Sequence, residues 1–424
     1  MTADLQQPRP HRPIGYRPAE ISSLFNTRVV AEHASSAAFL WTQREKAARA
    51  PHYKLKHLAR LDERVHAHLH GLRVAGPEGW RAAMAALEQG NPGTVFVSSY
   101  LAFASGKAAN MRDSLYLGLS EAALTTALES ALLWLEWAEV GPAVGLLQAS
   151  SVPAHQRVAL SVLCGHRIDA GEFLTRTLES DDAALRARAL QAAGELKRRD
   201  LTATVRRGLG DTVPACRFWA AYALTLLGAP EGPASALDNR FAYPAELSRA
   251  IDVVMRHCDW DWARQMIRSL ARQPETLRSS VLAAAAFGDP AVIPWLLGLA
   301  RQPALARVAA EAISTITGAD LHELSLKVDP PEDPAPDLDP QDDDLPWPNV
   351  EKLTQWWDAQ NDYMSGQRYL GGQLISEESC IAVLRTGYQR QRGASAHELA
   401  RLSESAPLFS VTDRADRQRR RLAM

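Results

Sequence analysis

Between residues 55 and 72 the apolar positions Leu55, Leu58, Leu61, Val65, Leu69 and Leu72 recur three or four residues apart, with charged residues between them. That spacing puts them on one stripe of an α-helix. Gly71 and Gly76 lie near its end, where a left-handed cap suits glycine. A helix from Arg28 to Ala50, carrying Val29, Val30, Phe39, Leu40 and Trp41 and stopped by Pro51, is expected before it, and a short one from Trp80 to Leu87 after it. Further along, the pattern becomes periodic on a larger scale. Apolar, alanine-rich runs follow one another, each opened by an arginine: Arg157, Arg186, Arg217, Arg249, Arg278 and Arg307, at spacings of 29, 31, 32, 29 and 29 residues. A second ladder, Leu178, Leu209, Leu237, Leu270 and Leu299, runs between them. Residues 270–278 read LARQPETLR and residues 299–307 read LARQPALAR. A period near 30 residues with helix-type patterning predicts stacked helical pairs, none of which buries its apolar face alone. No run alternates strictly enough to predict a strand.

The array is expected to begin before the arginine ladder. Phe96 and Tyr100 after Pro92 match Phe218 and Tyr222 after Pro214, and Gly141-Pro-Ala-Val echoes Asp289-Pro-Ala-Val 148 residues later. The predicted fold is therefore all-α: an α-solenoid over 92–321, roughly seven to eight helical pairs, preceded by a loose arm (1–26) and an N-terminal helical region (27–91). Residues 329–348, DPPEDPAPDLDPQDDDLPWP, hold eight acidic residues, seven prolines and no basic one. This composition predicts a solvated linker, placed at 322–348. A small C-terminal helical module (349–424) follows, with helices expected at Asn349–Ala359, Glu377–Arg390 and Ser395–Ser403, and a tail rich in arginine (Arg414, Arg417, Arg419, Arg420, Arg421).

Length alone would suggest about three domains, but a solenoid grows one unit at a time. A formal charge of −2 and a pI near 6.6 give no global attraction to nucleic acid or anionic membranes. Cys164, Cys216, Cys258 and Cys380 stand 52, 42 and 122 residues apart, which forms neither a metal pair nor a disulfide framework. The first eighteen residues hold four prolines and no apolar stretch, unlike a signal peptide. The most apolar region, Ala122–Leu147, is interrupted by Glu129, Glu136, Glu139 and Pro142, too often for a membrane span. A cytoplasmic, soluble protein is expected.

The unit Leu-x4-Arg-x2-Ala-x2-Ala, joined to Gly288-Asp-Pro-Ala-Val-Ile-Pro-Trp-Leu-Leu-Gly-Leu, resembles HEAT-like repeats of the short type named for phycobilin-attaching lyases. The segments APHYKLKHLARLDERVHAHLHGLRVAG, LPWPNVEKLTQWW, GQRYLGG, VLRTGYQRQR and APLF look like the ends of a proteobacterial family of HEAT-like proteins without an established activity. Its members tend to be encoded near type VI secretion and toxin-delivery genes. This resemblance implies a context and no catalytic residues.

Each candidate site has two readings. The ladder arginines, with Asp182 four residues before Arg186 and Asp211 six before Arg217, fit either a repeat-stacking hydrogen-bond line or a basic inner face. Repetition in unit after unit favours stacking. His66 and His70 share a helix face with Asp62, but a solvated helix face is the simpler reading and no metal is expected. Deoxyhypusine hydroxylase binds iron through His-Glu pairs on HEAT repeats; here only His322-Glu323 and His397-Glu398 occur, out of register. Trp134, Trp137, Trp219 and Trp295 invite comparison with HEAT-like DNA glycosylases, yet aromatics in amphipathic helices usually belong to the core. The acidic stretch lacks the glycine and spacing of a calcium loop, and neither a phosphate-binding loop nor a nucleophile elbow is present. Trp356, Trp357, Arg368, Tyr369, Leu370 and Tyr388 have the composition of a binding hot spot and are the favoured partner-binding residues, unless they cap the last repeat. The expected function is a non-enzymatic scaffold or adaptor for a protein partner, without cofactor; the resemblance implies a secretion component or effector as that partner. The alternatives are an enzyme of lyase or glycosylase type, and a nucleic-acid binder.

Overall fold

A computed structural model of the chain describes residues 26–87, 90–238, 247–332 and 338–424; the expected arm at 1–26 lies almost wholly outside them. The chain opens with α1 (Thr27–Ala47), α2 (Leu55–Val74) and α3 (Pro77–Ala86). Then come α4 (Pro92–Ser105), α5 (Ala108–Gly118), α6 (Ala122–Trp134), α7 (Trp137–Ala149), α8 (Pro153–His166), α9 (Gly171–Thr177) and α10 (Ala183–Glu195). The array continues through α11 (Thr202–Arg207), α12 (Pro214–Leu227), α13 (Gly232–Asp238), α14 (Leu247–His257), α15 (Trp260–Leu270), α16 (Pro274–Phe287), α17 (Ile293–Leu299) and α18 (Pro303–Thr317).

The even-numbered helices α4 to α18 pack one against the next in an inner rank, and α1 extends that rank. The odd-numbered helices form the outer rank. Local sequence explains the inner helices well. Five of them, α4, α8, α12, α16 and α18, begin on proline, whose fixed φ and missing N–H suit the first helical position. Their alanine-rich interiors are buried on both flanks, as in α4, where Gly93 to Phe103 are all buried. Phe96 and Phe218 are wholly buried at matching positions, each contributing about 1.5–3 kcal/mol by area. Pro142 and Pro290 are not equivalent, however: Pro142 lies inside α7, whereas Pro290 opens the 3-10 turn before α17.

After the array, β1 (Lys327–Val328) pairs with β2 (Trp347–Pro348), and α19 (Val350–Asp358) follows. A small hairpin, β3 (Tyr369–Leu370) with β4 (Gln373–Leu374), then leads into α20 (Glu377–Thr386), α21 (Gln389–Leu402) and α22 (Ala415–Arg421). The expected helix Glu377–Arg390 is thus two helices, broken at Gly387, whose backbone is extended and where a Cβ would meet the Val383 carbonyl oxygen at 2.8 Å. The expected short helix at Ser395–Ser403 is the second half of α21.

The C-terminal helices do not sit beyond the last repeat. They fold back along the inner rank, α21 on α14 and α22 on α2. The array also returns on itself. The Gln389 N–H donates to the Tyr53 carbonyl oxygen at 2.8 Å, the Tyr388 hydroxyl donates to Asp320 at 2.6 Å, and Lys54 Nζ lies 3.6 Å from the same carboxylate. Tyr388 thereby joins the start of α2 to the end of α18, and the solenoid becomes a ring filled by its own C-terminal segment.

Candidate functional site

Every α-helix ends in carbonyl groups with no intrahelical partner, and the negative end of its dipole favours a cation there. The returning segment meets these needs around the ring. Arg368 donates from Nε to Phe287 O at 2.6 Å, ending α16, and from Nη1 to Arg256 O at 3.1 Å, ending α14. The hairpin backbone follows: Tyr369 N to Gly288 O at 2.9 Å, Gly371 N to Thr315 O at 2.7 Å and Gly372 N to Ile316 O at 3.0 Å. Leu408 N donates to Glu195 O at 2.8 Å, ending α10, while its own carbonyl accepts from Arg167 beside α8. Arg414 donates to Trp134 O at 2.7 Å, and Arg417 donates to Leu133 O and Leu135 O, all at the end of α6. Two of the tail arginines, Arg414 and Arg417, are therefore structural.

One buried carboxylate anchors this return. Glu398 is 0% exposed and binds Arg256 at 3.4 Å, Arg401 at 2.8 Å and Arg368. Burial alone would push its carboxyl up, but Arg368, Arg256 and Arg401 together hold it below the usual carboxylate range. The adjacent His397 Nε2 lies 3.5 Å from Asp252, and its Nδ1 is buried with no hydrogen-bond partner. Neither residue stood out in the sequence beyond an out-of-register His-Glu pair. A helix as charged as GASAHELARL is not expected to bury, and its partners Arg256 and Arg368 lie far from it along the chain.

Among the described residues, two of the larger cavities lie between the inner rank and the returning segment. One, about 720 Å³, is lined by Glu129 of α6, Arg157, Ser161 and Cys164 of α8, Arg188, Gln191 and Glu195 of α10, Arg249, His397, and the irregular segment 408–412. The other, also about 720 Å³, lies among α14, α16, α18 and α21 with Lys46 and Pro51 at its edge. Arg49 borders both.

The ladder arginines do different things. Arg186 forks onto Asp211 of the next unit, at 2.6 Å from Nε and 3.1 Å from Nη2. Arg217 donates to the carbonyls of Asp211 and Thr212 at 2.8 and 3.1 Å. Asp182 instead caps α10, accepting from Leu185 N at 2.8 Å. Asp211 stands three residues before the first residue of α12; the same place holds Ser180 before α10, Ala271 before α16 and Ala300 before α18. Where that acid is missing, other groups face the arginine. Arg249 lies over the Trp219 ring at 5.1 Å. Arg278 binds Asp342 at 2.6 and 2.9 Å and Asp339 at 2.9 Å, and Arg307 lies 3.5 Å from Asp343 and over Trp347. The acidic segment is therefore not the solvated linker expected over its whole length: Asp342 is 2% exposed and Leu345 is buried. Arg157 has only Ser180 at the corresponding place, and its Nε is buried without a partner.

The residues expected to meet a partner are largely committed within the chain. Tyr369 and Leu370 are buried, Arg368 is spent on carbonyls and Glu398, and Tyr388 is the ring closure. Trp356 and Trp357 are half-buried against the apolar cluster of α17 and α18. Asp62, the acid beside His66 and His70, is taken by Arg44 Nε at 2.9 Å and Ala415 N at 2.6 Å, and both histidines are exposed. Trp134 and Trp219 are buried. Among the described residues no group of three or more His, Cys, Asp or Glu side chains is placed to hold a metal ion, and no helix is long and apolar enough to cross a membrane.

The family model for HEAT repeats matches residues 171–271, which is α9 through α15. The middle of this chain is a HEAT-like repeat array. The match takes in Arg186, Arg217 and Arg249, and the helical pairs on either side continue the same two ranks. The searches of curated proteins and of solved structures give no match. HEAT repeats commonly mediate protein–protein interaction, which sets the general class of function for the array.

On the outer rank, the HEAT-like array carries an apolar groove of about 750 Å³ between α5, α7 and the start of α8. Tyr116, Leu146 and Val152 line it at 86%, 67% and 43% exposure. No sequence signal separated these side chains from ordinary core positions, because an amphipathic pattern does not say whether a neighbour covers it.

Proposed function

We propose that this protein is a non-enzymatic protein-binding scaffold whose partner docks on the outer rank, while the inner face holds the ring closed. The observation that carries this reading is the groove of Tyr116, Leu146 and Val152. Contiguous exposed apolar side chains between two packed helices suit the apolar face of a partner helix. Arg112 on its rim favours a partner whose flanking residues are acidic. The thiols support a structural role for the cysteines: burial pushes Cys164 and Cys216 up to about 11 and Cys258 up to about 12, far from the activated range of a nucleophile.

The finer reading is a cytoplasmic accessory of type VI secretion or effector handling. It rests on the likeness of the terminal segments to the proteobacterial family described above. The test uses immobilised full-length protein and extract of the native host, comparing wild type with a Tyr116→Ala, Leu146→Asp double variant. The variant is expected to retain its melting temperature, since both residues are exposed, and to lose at least about tenfold of the specific partner. Equal recovery by both would sink the groove as the docking surface. A wild-type partner set without any secretion component or effector would remove the finer reading alone.

A further inference from the structure

The fold splits the histidine cluster of α2. His66 and His70 are exposed, and His66 faces Arg414 of the tail. His68 turns to the other flank, toward α1, where its Nδ1 lies 2.9 Å from His33 Nδ1. The ring centroids are 5.1 Å apart and the planes cross at 63°, so the two nitrogens meet head to head. Both rings are half-buried.

The backbone is adapted to this contact. Gly71 stands three residues after His68 inside α2, where glycine is less stable than alanine. A Cβ there would lie 3.0 Å from His33 Nε2 and 3.1 Å from Cδ2 and Cε1 of the same ring. The missing side chain is what lets the His33 ring lie against α2 and reach His68. Around the pair, Val30 and Ala34 of α1 share one buried apolar cluster with Leu69 and Leu72 of α2.

The bond sets a limit on protons. Whichever ring donates, the other must accept through a bare lone pair. A neutral pair satisfies this, and a singly charged pair satisfies it with a stronger, charge-assisted bond. A second proton leaves two N–H donors facing each other with no acceptor. The neighbouring charges offer it no support. On α1, Glu32 is exposed and paired with Arg28 at 3.2 Å. On α2, Arg64 carries the same sign as the added proton, and Arg73 is taken by Tyr100 and Glu139. On α3, Glu78 and Arg81 bond each other, and α4 has no charged residue. Burial, His33 and Arg64 accordingly all hold the His68 imidazole below the usual histidine range. With the folded pKa below the unfolded one, this stabilisation is present above about pH 6.5 and is lost as pH falls toward the folded value.

We propose that His33 and His68 form an acid-sensitive latch between α1 and α2, and that protonation of both rings releases residues 27–36 from Leu69 and Leu72. The proposal goes beyond the scaffold reading and does not depend on the outer groove.

The test is hydrogen–deuterium exchange of the full chain at about pH 7.5 and about pH 5.5, on either side of the ordinary histidine pKa, corrected for the intrinsic exchange rate. On acidification, protection over residues 27–36 is expected to fall at least about tenfold more than protection over 214–227 of α12, which reports the general loss of stability. His68→Gln and His33→Gln, each placing a neutral amide that does not titrate, are expected to abolish this difference between the two regions. His66→Gln, on the opposite flank, is expected to preserve it. A wild-type protein in which both regions lose protection equally would overturn the proposal, and that comparison decides even where a variant misfolds. So would an undiminished difference in either folded variant of the pair, or its loss in His66→Gln.

Discussion

Glu398 shows how one residue can hold several elements. Its carboxylate meets Arg256 from α14, Arg368 from the hairpin segment and Arg401 from its own helix, with no exposure to water. Removing one member of a buried ion group leaves the others charged and unpaired. Glu398→Gln is therefore expected to cost about 3–5 kcal/mol, read as a lower urea midpoint. The pH dependence has a definite sign. The folded pKa of Glu398 lies below its unfolded value, so its stabilisation is present above the usual carboxylate range and is lost as pH falls through the folded pKa. His166 and His257 act at higher pH. Burial holds both down at about 4, so the fold prefers them neutral, and stability falls as pH drops from about 6.5 toward 4. Urea midpoints measured across that interval are expected to decrease continuously; a flat profile from 6.5 to 4 would contradict the buried, neutral state of both rings. At this scale the sequence was partly legible. The ladder arginines announced themselves by repetition, but their partners did not. Whether an arginine meets Asp211, Trp219 or Asp342 depends on what the next unit places three residues before its helix, and on a segment that returns from far along the chain.

At the scale of elements, the inner helices were readable as arginine-opened, alanine-rich runs, because that patterning is local. The docking of β3–β4 was not. Gly288 and Gly318 end α16 and α18 with φ of 84° and 71°. A Cβ at Gly288 would stand 2.5 Å from Tyr369 O, and one at Gly318 2.6 Å from Gly371 O. These glycines serve both as left-handed caps and as the floor on which the hairpin sits. Gly288→Ala is expected to cost more than the roughly 1 kcal/mol of an ordinary glycine cap, because the hairpin must also lift. Limited proteolysis is the direct measurement: cleavage between residues 359 and 376 should accelerate in the variant. Unchanged cleavage would mean that the hairpin does not depend on this close approach. The same scale explains the misread helix at 377–390. Its apolar spacing continues across Gly387, but the helix ends there: the Gly387 N–H still donates to the Val383 carbonyl at 2.8 Å while its ψ of 168° turns the chain to an extended path.

For the whole molecule, closure is the property that matters. Tyr388, Lys54 and Asp320 join the first and last parts of the array, and Arg414, Arg417 and Ala415 tie the tail to α6 and α2. A chain truncated after Gly366 would lose all of the returning segment and expose the carbonyl ends of five inner helices, α6, α10, α14, α16 and α18. Small-angle scattering of the full chain is expected to give a radius of gyration near ~22 Å, the value for a compact chain of this length. The truncated chain, though shorter, should give a larger value as the ring opens. A smaller radius after truncation would show that the array keeps its curvature unaided.

The sequence by itself determined that this chain is a helical repeat array and that its middle third is periodic. Those properties follow from interactions within about thirty residues, which composition and spacing record directly. The tertiary structure alone decided that the array closes, that the acidic segment partners Arg278 and Arg307, and that the hot-spot-like residues around Arg368 are consumed internally. It alone left Tyr116 facing outward. Each of these depends on contacts between residues tens to hundreds of positions apart, and the curvature that brings them together accumulates from small rotations between units that no local pattern encodes.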